Sequence, residues 1–111
     1  MTSERSGRSD SRNEARLTVI YWRDIPAQVT ARAGREKATV QLSARFQVAI
    51  DQAATRAGKT DADEYLAEWR DERKACGDNL QATVDEEAAR LEVEFPQSVL
   101  DGYVRSGGFV P

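Results

Sequence analysis

The chain has 111 residues, 40% hydrophobic and 32% charged, the balance of a folding domain rather than of a disordered or membrane-spanning polypeptide. At this length one domain with a thin core is expected. Histidine is absent, which removes Ser-His-Asp and Cys-His catalysis, histidine-ligated metal and the commonest general base at neutral pH.

The net charge of −3 hides a split: residues 1–59 carry 11 basic against 6 acidic side chains, and residues 60–111 carry 5 against 13. Such polarity can steer a partner of opposite pattern, or a second copy laid head to tail as a homodimer. Residues 1–15 have no aromatic side chain and are rich in Ser and Arg, so a flexible polar tail is expected there, preceding one domain over 16–106 and a short C-terminal tail over 107–111. No apolar run reaches the roughly 18 residues that cross a bilayer, and no secretory signal is visible. A single cysteine, Cys76, excludes an internal disulfide and fits a reducing compartment. A cytoplasmic protein without membrane contact is expected.

Structure is expected from Leu17, where "LTVIYW" has the length and β-branched, aromatic composition of a strand. "RDIP" turns the chain, with Pro26 at the bend or the start of an edge strand. "AQVTAR" alternates as a second strand, Gly34 marks the next turn, and "ATVQL" over 38–42 predicts a third. Short connections favour an antiparallel meander.

At Ser43 the period becomes helical: Phe46, Ala49, Ile50, Ala53, Ala54 and Ala57 form one stripe between an N-cap at Ser43 and Gly58 at the C-terminal end. A second helix is expected from Asp61, carrying Tyr65, Leu66 and Trp69 on one face and ending in the polar "RDERKACGD". A third should open near Thr83, whose spacing to Glu86 is that of a capping box. Pro96 forces a break and can serve as the first residue of a fourth helix with Val99, Leu100, Tyr103 and Val104, stopped by "SGG". The expected fold is α+β, two or three antiparallel strands covered by three or four helices.

Little chemistry remains. No glycine-rich phosphate loop is present. Asp61 and Asp63 have the first spacing of a calcium loop, but Leu66 stands where its turn needs glycine, so no metal and no cofactor are expected. Arg73 and Lys74 precede Cys76 and could lower its pKa, yet no base or resolving cysteine accompanies it. An enzyme would have to rest on Tyr21, Asp24, Glu68 or Cys76, and nothing in their spacing makes them converge.

Two Trp-Arg pairs remain, Trp22-Arg23 and Trp69-Arg70, the first flanked by Tyr21 and Asp24. Trp and Arg lead the residues found at binding hot spots, so Tyr21, Trp22, Arg23, Asp24, Trp69 and Arg70 form a candidate protein interface; the competing reading packs Trp22 into the core. The strings "VIYWRDIPAQV" and "AIDQAATRAGKTDADEYLAEWR", with a looser match through "DEEAARLEVEF", resemble the small bacterial domain family called "virulence factor". The resemblance implies an accessory domain without known catalytic residues, linked to folate- or corrinoid-dependent one-carbon enzymes. The leading expectation is therefore a non-enzymatic module with a protein partner. The alternative is nucleic-acid binding by Arg5, Arg8, Arg12 and Arg16 with stacking strand aromatics, against which the acidic pI counts.

Overall fold

A computed structural model describes residues 14–111; the expected tail lies, through residue 13, outside them. The elements in chain order are strands β1 (Arg16–Trp22), β2 (Ile25–Ala33) and β3 (Glu36–Gln41), helices α1 (Ala44–Arg56) and α2 (Ala62–Ala67), strand β4 (Trp69–Ala75), and helices α3 (Leu80–Glu94) and α4 (Gln97–Arg105). The class is α+β as expected, but the sheet has four antiparallel strands in the order β3-β2-β1-β4.

The extra strand is the principal correction. Residues 69–75 pair with β1 from Trp22↔Trp69 to Arg16↔Ala75, where a polar helix end was expected. Five consecutive charged residues, Arg70 to Lys74, erase the alternation by which a half-buried strand is recognised. Those charges suit an edge strand, which they guard against pairing with other chains. Trp69 accordingly opens a strand and does not share a helical face with Tyr65, and Leu66 points outward.

Alternation along β1 and β2 sorts the sheet into two faces. On one, Leu17 lies opposite Ala31 and Val19 opposite Val29, and Ala38 and Val40 continue these rows on β3. The helices cover this face. Leu80, Val84, Ala88 and Leu91 of α3 and Phe46, Ala49, Ile50, Ala53 and Ala54 of α1 are buried in the same core, a stripe three and four residues apart in each helix. A bulge leaves Ala27 unpaired where Ile20↔Gln28 gives way to Tyr21↔Pro26, which accommodates a fully buried Pro26 that has no amide to donate.

Ser43 and Gly58 bound α1 as expected, Gly58 with φ +72°. Ser43 caps without its own side chain: its backbone N–H and hydroxyl both donate to the Glu92 carboxylate, at 2.7 and 2.9 Å. Helix α3 starts three residues before the expected Thr83. Asn79 is the N-cap, its Oδ1 accepting from Ala82 N at 3.1 Å, and the buried Leu80 extends the apolar stripe backwards. Asn79→Ala is expected to cost about 1 kcal/mol, read as a lower urea midpoint with an unchanged slope. Pro96 is the N-cap of α4 rather than its first residue.

Candidate functional site

The hairpin between β1 and β2 has a two-residue turn, Arg23-Asp24, of the kind that favours left-handed backbone at its centre. Arg23 adopts it, with φ 54°, and is the one non-glycine residue with positive φ among the described residues. Placing a side chain there costs on the order of 1–2 kcal/mol, so the surroundings must hold it. They do so from three directions. Arg23 N donates to Glu68 O at 3.0 Å, its Nε to the Glu68 carboxylate at 3.2 Å, and its Nη1 to Gly107 O at 2.9 Å. The guanidinium also lies over the Trp22 and Phe109 rings, 5.2 and 4.4 Å from their centroids.

Asp24 continues the arrangement. Its backbone N–H donates to Gly108 O at 2.8 Å, and its carboxylate accepts from Val110 N and from Arg70 Nη2, both at 3.0 Å. Arg70 reaches over from β4, donating its Nε to Arg23 O at 2.7 Å and lying 4.5 Å above the Tyr21 ring. Although burial opposes it, hydrogen bonds to Glu72 and Asp24 raise the Arg70 pKa further. Burial, reinforced by Glu72, pushes the Tyr21 phenol up as well.

The structure thus brings together all six residues singled out in the sequence, but in unequal roles. Trp22 is fully buried, the core-packing alternative. By alternation it belongs to the face away from α3, where Tyr65 of α2 stacks on it at 5.8 Å and its Nε1 donates to Tyr65 O at 2.9 Å. Trp69, opposite it in register and half-buried, meets Tyr65 edge-on at 5.9 Å. Arg23 lies over Trp22 of this aromatic floor, while Arg70, over Tyr21 on the opposite face, reaches Asp24 across the turn.

Residues 107–111, expected as a tail, complete the site. Gly107 and Gly108 are buried, while Phe109 and Val110 remain 48% and 63% exposed. In the sequence, "SGG" reads only as a helix stop. A glycine pair followed by an aromatic was the available sign of a close backbone approach. Glu68, named in the sequence only as one of four residues on which chemistry would have to rest, binds Arg23.

Of the residues named for chemistry, Tyr21, Asp24 and Glu68 lie about the turn, where Arg70 covers Tyr21 and pairs with Asp24 and Arg23 pairs with Glu68; Cys76 lies apart from them. Cys76 lies at the far end of β4, its N–H donating to Ala15 O at 3.1 Å; burial and then Asp78 push its thiol up, opposite to the effect expected from Arg73 and Lys74. Among the described residues there is no group of three or more Cys, Asp or Glu side chains placed to hold a metal ion, and no helix is long and apolar enough to cross a membrane.

Against protein families, residues 20–104 match the family described as virulence factor. The chain belongs to this family. The match takes in the Tyr21–Asp24 turn, α2 and the Trp69-Arg70 pair, and ends before Gly107 and Phe109, so one wall of the site in this virulence factor domain stands outside the shared region. Comparison with curated proteins and with solved structures gave no match.

Proposed function

We propose that this virulence factor domain is a non-enzymatic docking module that binds a protein partner through Phe109, Val110 and the guanidinium groups of Arg23 and Arg70. One observation carries the reading: a half-exposed Phe109 ring held against Arg23, beside exposed Val110, on a turn fixed by hydrogen bonds from three separate elements. Aromatic and arginine side chains supply most hot-spot energy, and a surface already rigid loses little entropy when it binds. Trp22 contributes as the floor beneath the contact rather than as the contact.

The family resemblance supplies the first partner to test, a folate- or corrinoid-linked one-carbon enzyme. The full chain carrying Phe109→Ala with Val110→Ser keeps every buried residue, so its thermal melt should match the wild type. It should retain a partner captured by wild type at least about tenfold less well, the loss expected when a hot-spot aromatic is truncated. Undiminished capture by the folded variant would remove this surface from the function, and turnover by purified protein alone would remove the docking reading itself.

A further inference from the structure

Beyond Trp22, no element among the described residues covers the sheet face turned away from α3. Register places Arg16 directly opposite Arg32, and Arg32 directly opposite Lys37, so three cations form one row across β1, β2 and β3, about 4.8 Å apart from strand to strand. All three are exposed, and no ion pair among the described residues includes any of them. Like charges directly opposite each other destabilise a sheet. The fold gains nothing from the row; an anion laid across it would.

The next row consists of Thr39, Thr30 and Thr18, followed on β4 by Arg73, and beyond it lie Gln41 and Gln28. Thr18, Thr30, Gln28 and Arg73, with the three cations, line a shallow trough of about 430 Å³. Asp71 is the acid that shares this face through the register, and Arg73 already pairs with it at 3.2 Å. The surface therefore offers cations and neutral hydrogen-bond donors, with half-buried Ile20 as its apolar side chain.

We propose that this open face binds the phosphodiester backbone of a nucleic acid without regard to sequence, at a site separate from the Arg23–Phe109 surface. Arg, Lys, Thr and Gln are the side chains that contact phosphate oxygens, whereas a protein partner would need a cluster of aromatic or aliphatic anchors, and the trough offers half-buried Ile20 alone. Base readout is not expected either, because Trp22 is buried, Tyr21 lies on the opposite face under Arg70, and Trp69, half-buried at the end of this face, is engaged edge-on by Tyr65, outside the residues that line the trough.

The test is fluorescence anisotropy of the full chain with labelled single-stranded oligonucleotides of two unrelated sequences. Equal affinity for both is expected, with a log K against log salt slope near −2, from about three phosphates at −0.7 each. Arg32→Gln with Lys37→Gln should weaken binding at least about fivefold and flatten the slope by about 1 or more, while its Tm equals or exceeds that of wild type. Lys59→Gln, on the connection after α1, should change nothing. Absence of binding at low salt would overturn the proposal. So would affinity unmoved by the double substitution but abolished by Arg5, Arg8 and Arg12 to Gln, which would assign binding to the N-terminal segment. Stronger displacement by poly-glutamate than by unlabelled oligonucleotide would also overturn it, in favour of an acidic protein.

Discussion

Trp22→Ala should destabilise the domain by about 3–5 kcal/mol, the range for removing a large buried aromatic, against a total stability of about 5–15 kcal/mol. The side chain has no exposed surface, and it is shared by parts of the molecule distant in sequence: Tyr65 stacks on it from α2, Arg23 lies over it from the turn, and Gly108 abuts its ring from beyond α4. Removing it leaves a cavity none of them can close without losing another contact. It also leaves the Tyr65 carbonyl without the indole N–H it accepts. Guanidinium denaturation should report the loss, with Tm falling by about 4–8 °C for each kcal/mol. Trp22→Phe keeps most of the volume but not the donor, and should cost about 1–3 kcal/mol, the range for a buried acceptor left unpaired. Equal losses for the two substitutions would place the importance of Trp22 in its hydrogen bond rather than its bulk.

That the same residue was readable either as a contact or as core has a physical cause. Alternation assigns Trp22 to the face that carries Arg16, Thr18 and Ile20, which is open along most of its length. What covers the face at Trp22 comes from 43 positions away, at Tyr65, and from the glycines after α4, and neither leaves a mark on the local pattern. The elements whose burial is periodic were legible: α1 through its alanine stripe, the β1–β2 hairpin through its β-branched residues. Strand β4 was not, since its pairing with β1 is a long-range fact and its charges belong to an edge. The start of α3 was missed for a local reason: the Thr83–Glu86 spacing imitates a capping box, while Asn79 is followed directly by the buried Leu80 that opens the stripe. The convergence of the two Trp-Arg pairs was visible only as a repeated dipeptide; the antiparallel register that sets Trp22 opposite Trp69 gives it meaning.

Gly108→Ala should be nearly as damaging as the loss of Trp22, although it adds a single methyl group. Gly108 has φ +101°, a conformation that L residues rarely adopt, and a Cβ there would stand 2.8 Å from one ring carbon of Trp22, 3.2 Å from another and 3.2 Å from Cδ of Arg23. The ring cannot yield, held from the other side by Tyr65 and by its bond to Tyr65 O, so the segment after α4 must move. Movement breaks the bonds that Asp24 N donates to Gly108 O and Arg23 Nη1 donates to Gly107 O, and with them the support that keeps Arg23 in its left-handed conformation. Backbone strain of about 1–3 kcal/mol together with an overpacking cost of similar size gives an expected loss of about 2–6 kcal/mol by chemical denaturation, and faster cleavage by carboxypeptidase as residues 107–111 come loose. Gly58→Ala separates the two contributions. Gly58 also has positive φ, +72°, but an added Cβ meets nothing within 4 Å, so it should lose only the conformational part, about 1–2 kcal/mol. A Gly108 variant no less stable than the Gly58 variant would mean that the segment does not press on Trp22 in solution; Phe109 would then have no fixed position over Arg23, and the proposed docking surface would lose its preorganisation.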